Sequence, residues 1–241
     1  MAIIYLIASI LGIVPIAVWL MFFLWQDIKK PEPLRWLFIL FCTGIIITPI
    51  VWYGEGELMK FLGFDLNDSL SLASIVMAYT SIAIIEELAK LFSARLVLKK
   101  NKYFDEAIDA MVYLIVLSLG FGLVENILAA GQEINTGNLL LPVLQTMSLR
   151  FIGANLLHAL CSGLIGFFWA LSLIWKKKRF LWEGIVLGIL LHAGFNIVLG
   201  ILLHAGFNIA IIKFGGMAIF LVSLGLFLAT ICLLWAFDIL K

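Results

Sequence analysis

The chain has 241 residues, 64% of them hydrophobic and 13% charged, with a net charge of +1. Soluble domains are about half apolar and about a quarter charged, so a soluble enzyme and a disordered chain are excluded. A nucleic-acid binder is excluded too, because no basic excess is present.

The mean hydropathy is +1.15, and the apolar residues form long continuous runs. A transmembrane barrel would show strands of about ten residues alternating apolar and polar. The pattern instead predicts an all-α polytopic membrane bundle, one integral membrane domain over 1–241. At ~20 apolar residues per crossing, seven spans are expected: 3–25, 34–53, 70–98, 108–130, 150–175, 180–212 and 216–240. The first lacks a basic n-region and a small-residue cleavage site, so it reads as a retained span rather than a leader. Pro31 and Pro33 punctuate the first connection, Gly54 and Gly56 the second, and Gly131 to Gly137 the fourth. Residues 60–64 are expected on the outer membrane surface, and 139–149 as a short interfacial helix. Cys42, Cys161 and Cys232 fall inside apolar runs and read as small buried hydrophobes.

Twelve of the sixteen lysines and arginines cluster at every second end. They are Lys29, Lys30 and Arg35, then Arg95, Lys99, Lys100 and Lys102, then Lys176 to Arg179, then Lys241. The positive-inside rule therefore places the N-terminus outside and the C-terminus in the cytoplasm. Lys60, Arg150 and Lys213 lie on the other side, with Glu55, Glu57, Asp65, Asp68 and Glu133.

Segment 180–212 would be roughly 50 Å long as one helix, beyond a ~30 Å hydrocarbon core. It holds a tandem repeat: Gly188-Ile-Leu-Leu-His192-Ala-Gly-Phe-Asn196, then Gly200-Ile-Leu-Leu-His204-Ala-Gly-Phe-Asn208. Each copy puts His and Asn on one helix face. Twelve residues add ~18 Å and ~120° along a straight helix, so one site can take only one copy.

Ionisable groups at bilayer depth are costly and are candidates for function. Here they are Glu86, Glu87, Lys90, Glu125, His158, His192 and His204. Glu86 and Lys90 are spaced i,i+4 for an ion pair. Glu87 points about 100° away and needs another partner. Gly120 and Gly122 permit close helix approach and leave room beside Glu125. Asp105 reads as an N-cap, with Glu106 and Asp109 in the first turn of a helix. A phosphate loop, Gly-x-Ser-x-Gly and His-Glu-x-x-His are absent from the sequence.

In order along the chain stand Glu86-Glu87-x-x-Lys90, Phe104-Asp105-Glu106-x-x-Asp109, Gly120-Phe121-x-x-x-Glu125-Asn126, His158-Ala159 and His192-x-x-x-Asn196. This series resembles the PrsW family of the CPBP superfamily, which also holds the CAAX prenyl endopeptidases. In the CAAX branch the residue corresponding to Glu125 is His, and the first motif ends in Arg one position later. The doubled His-Ala-Gly-Phe-Asn departs from the family pattern and leaves His204 as an alternative to His192.

The resemblance implies a protease-like core over 70–212, with two N-terminal helices in 1–69 and a C-terminal helix in 213–241. It implies peptide-bond hydrolysis inside a bacterial or archaeal membrane, on a membrane-spanning protein such as an anti-sigma factor in a stress response. Glu86 would be the general base. Glu125, His158 and His192 would be zinc ligands or, without metal, groups that orient water and stabilise charge, with Glu87 and Asn196 beside them. The rival readings are a transporter or proton relay, a membrane scaffold, and a CAAX-type endopeptidase.

Overall fold

The computed structural model describes residues 2–27, 30–64, 71–135, 140–204 and 210–240, and their side chains except at 2–9, 135, 140, 142, 199–204 and 210–222. Among the described residues there are eight helices and no strand: α1 (Ala2–Trp25), α2 (Leu34–Phe61), α3 (Leu72–Leu98), α4 (Asp109–Asn135), α5 (Leu140–Ile152), α6 (Ala154–Ile174), α7 (Lys178–His204) and α8 (Ala210–Leu240). Six helical stretches are long and apolar enough to cross a membrane, and α1 adds a shorter apolar stretch, Ile10–Trp25. Phe38, Ile46, Ile50, Leu96 and Trp235 point outward, where a bilayer would cover them.

Helix α4 is the centre. Every residue from Ile108 to Gly122 is buried, as expected of a helix that is apolar all round. It is packed by α1, α2 and α6, and α7 closes the bundle by packing on α6 and α3. The approach of α2 to α4 depends on two glycines. A methyl group on Gly44 would collide with the carbonyl oxygen of Leu117, and one on Gly120 with that of Phe41. Backbone atoms have no rotamer with which to retreat. Gly120→Leu is therefore expected to destabilise the bundle by about 3 kcal/mol or more, read as a lower melting temperature in detergent. An unchanged melting curve would show that α2 and α4 can separate at no cost.

Helix α2 runs past Gly54 and Gly56, where the sequence suggested an end at residue 53. Its true stop is Gly63, with φ of +70°. The Gly63 N–H donates to Lys60 O, and the Phe64 N–H to Met59 O. That is a Schellman cap, so residues 60–64 form the end of α2 rather than a separate surface segment. The start of α4 also differs from expectation. Asp105 lies four residues before α4, and the first helical residue, Asp109, reaches back instead: its Oδ2 accepts the N–H groups of Asp105 and Glu106 in the preceding loop at 2.9 and 2.8 Å. Asp105 and Glu106 pair with Lys30 instead.

Near the same end, Tyr113 donates to Glu32 and receives from Asn101. Burial pushes the Glu32 carboxyl up from 4.5 to about 8. Between those values the folded chain holds a proton that the unfolded chain has released. Stability should therefore fall as pH rises through this window. Glu32→Gln, permanently neutral, should flatten the dependence of melting temperature on pH from 5 to 8; an unchanged slope would place its origin elsewhere.

The expected fifth span, 150–175, is divided. Residues 140–152 form α5, and α6 starts after Gly153, so Arg150 belongs to the short helix. Of the expected segment 180–212, the residues up to His204 belong to α7 and those from Ala210 to α8. The side chain of His204 and all of Asn208 lie outside the described residues.

Candidate active site

One turn of α3 supplies Glu86, Glu87 and Lys90, each at most 4% exposed. Lys90 Nζ donates to Glu86 Oε2 at 3.1 Å and to Glu87 Oε1 at 2.9 Å. The expectation that Glu87 lies beyond Lys90 is thus corrected, because a flexible four-carbon stem reaches both the i−3 and the i−4 neighbour. The ammonium also stands 4.4 Å from the Phe121 ring centroid.

Helix α6 brings His158 against this turn. Lys90 Nζ lies 2.8 Å from His158 Nδ1, and Glu125 Oε2 lies 2.8 Å from His158 Nε2. An ammonium can only donate. Nδ1 is therefore the acceptor, and Nε2 carries the proton that goes to Glu125. Glu125 also accepts from Arg150 Nη2 at 2.9 Å, while Arg150 Nε donates to Asn126 Oδ1 at 2.7 Å. Asn126 in turn donates to the Gly12 carbonyl of α1 at 3.0 Å.

Helix α7 supplies His192. Gly184 and Gly188 let it lie directly on Phe168 and Ile165 of α6. One turn further, His192 Nδ1 meets Glu87 Oε1 at 2.8 Å. A carboxylate accepts, so Nδ1 carries the proton and the Nε2 lone pair is directed away from Glu87. Nε2 is 3.9 Å from Glu86 Oε2, the same oxygen that is 3.8 Å from His158 Nδ1. The first copy of the repeat is the one seated here.

These side chains face a cavity of about 270 Å³ lined by Glu86, Glu125, His158, His192, Asn196 and Arg150, among others. The structure thus brings together Glu86, Glu125, His158, His192 and Asn196 as wall residues. Glu87 stands behind the wall. Three residues were not singled out from sequence. Arg150 looked like an ordinary span-end charge. Glu55, expected in a loop, is carried by the longer α2 to within electrostatic reach of Glu86, Glu125 and Lys90, and its Oε1 is buried with no hydrogen-bond partner. Asn155 is fully buried without a side-chain partner, beside Gly122 and one turn before His158. No spacing in the sequence marks it.

The donor set suits a divalent cation. Glu86, Glu87, His158 and His192 each offer a ligand atom, all within 4.8 Å of one another. Two imidazoles with carboxylate oxygen form a zinc-type set, and Glu87 Oε2 is buried without a partner. Glu125, expected among the ligands, lies outside this group and is tied to His158 and Arg150.

A helical membrane bundle that gathers imidazoles and carboxylates around one cavity holds the groups that an intramembrane hydrolase requires. A family model described as PrsW family intramembrane metalloprotease matches residues 32–234. Protease PrsW of Geobacillus kaustophilus is 30% identical over 192 residues, covering 77% of this chain and 76% of the relative. Protease PrsW of Clostridioides difficile is 30% identical over 188 residues, covering 78% and 76%. That of Oceanobacillus iheyensis is 30% identical over 190 residues, covering 77% and 79%. No solved structure matches the chain. The chain belongs to the PrsW family of intramembrane metalloproteases. It is an integral membrane protein and an enzyme, with a protein substrate and a lipid bilayer as its surroundings, which sets aside the transporter and scaffold readings.

Proposed function

We propose that this protease cuts a membrane-anchored protein with Glu86 as general base. The observation that carries the reading is positional. Of the adjacent carboxylates only Glu86 lines the cavity, and its Oε2 stands 3.8 and 3.9 Å from the two histidines. Glu86 takes a proton from the attacking water and returns it to the leaving amine. Asn196, on the cavity wall, donates to the oxyanion that develops at the scissile carbonyl.

His158 and His192, with a carboxylate oxygen of the adjacent pair, would hold a zinc ion, which lowers the pKa of water and polarises the carbonyl. Glu87 behind His192 and Glu125 behind His158 are the carboxylates that orient each ring. In this reading Glu125 positions a ligand and is not one itself.

The substrate proposed is a single-pass protein of the anti-sigma-factor kind, and the orientation is N-terminus outside, C-terminus in the cytoplasm, as the lysine and arginine distribution favours. The whole chain is read as one membrane domain whose segment 70–212 carries the site. The full chain, purified in detergent, should cleave a single-pass membrane substrate, lose this activity to a chelator and regain it with zinc. Equal product from wild type and Glu86→Ala would overturn the reading.

A further inference from the structure

Lys90 is fully buried at the middle of the donor set, which is an unusual place for an ammonium beside a metal site. Its three N–H bonds are all taken by that set, by Glu86 Oε2, Glu87 Oε1 and His158 Nδ1. The third is decisive. Nδ1 is the one His158 nitrogen with a lone pair free for coordination, since Nε2 gives its proton to Glu125. A metal on His158 and the Lys90 ammonium on His158 therefore exclude one another.

We propose that Lys90 is a built-in cation that holds the donor set together in the metal-free protein and yields His158 when a divalent ion binds. The inference rests on the metal reading given above. The surroundings provide for the exchange. Glu87 Oε2, on a carboxylate that Lys90 already touches, is buried and has no partner. The Phe121 face beneath the ammonium also holds a cation favourably. Lys90 can thus give up His158 without becoming an isolated buried charge. Two consequences follow: the metal-free protein keeps its fold, and metal affinity is lower than the ligands alone would give, because the ion must displace and then sit beside a positive charge.

The test measures zinc binding and melting temperature, not cleavage, on the full chain in detergent. Wild type and Lys90→Met are both purified with zinc, then titrated with a competing chelator. Lys90→Met is expected to bind zinc at least tenfold more tightly. Its melting temperature should drop sharply on chelation, whereas the wild-type value should change little. Zinc bound by Lys90→Met but not by wild type would also support the displacement. Equal or weaker affinity in the variant would overturn the proposal while leaving zinc binding intact. A variant that does not fold even with zinc would overturn it as well, showing a charge that metal does not replace. Zinc binding by neither protein would remove both this inference and the metal reading.

Discussion

Glu86→Gln is expected to lower the rate of cleavage by roughly 10²- to 10⁴-fold, the usual contribution of a positioned general base. The amide keeps the shape of the side chain and can still accept from Lys90 Nζ, now 3.1 Å away, so the packing of α3 should survive. What is lost is the capacity to take a proton from water in the cavity. The loss should appear in kcat, with KM little changed, because the group acts on the transition state and not on substrate binding. Circular dichroism and melting curves near those of wild type would establish that chemistry, not folding, is affected. A Glu86→Gln enzyme that retains more than about a tenth of wild-type activity, below what a general base contributes, would shift the role to another carboxylate of the site, such as Glu125.

His192→Ala is expected to abolish measurable cleavage, a loss on the order of 10³-fold or more for a member of a unit that acts together. His204→Ala should stay within about twofold of wild type, the range of substitutions away from special features. The difference follows from helix geometry. Helix α7 is continuous from Lys178 to His204, so the second histidine is displaced by ~18 Å and turned by ~120° from the first. His192 is already engaged by Glu87 at 2.8 Å, and no rotation of α7 serves both copies. Inactivation by His204→Ala alone, with His192→Ala active, would exchange the assignments.

Much of this architecture was legible because a bilayer imposes a simple code. Apolar runs of spanning length appear as helices, and buried charges stand out against them. The order Glu86, Glu125, His158, His192 along the chain therefore marks walls of one cavity, with Glu87 behind them. Other features depended on choices that composition does not make. Gly54 and Gly56 resemble a helix end as much as Gly63 does; only Gly63 adopts the left-handed φ that completes a cap. The break at Gly153 sits between apolar residues with no proline or loop-like cluster to mark it, so 150–175 reads as one span. Arg150 was consequently assigned to a span end, when its partners lie 24 and 25 residues earlier in sequence. Lys90 reaches both glutamates because i,i+3 and i,i+4 are both contact spacings on a helix, so pairing with Glu86 leaves Glu87 within range too.

The polar contacts around the cavity form an unbroken sequence from the Gly12 carbonyl through Asn126, Arg150, Glu125, His158, Lys90 and Glu87 to His192. It passes through α1, α4, α5, α6, α3 and α7. In lipid, apolar helix faces gain little by choosing one neighbour over another, since the tails are as oily as leucine. Directional bonds are then among the few devices that distinguish correct helix registers from sliding alternatives. The residues proposed to carry the reaction are, by this account, also part of the assembly code of the bundle. Alanine variants at these positions are accordingly expected to lose some helix packing along with chemistry, and shape-preserving exchanges such as Glu86→Gln separate the two effects.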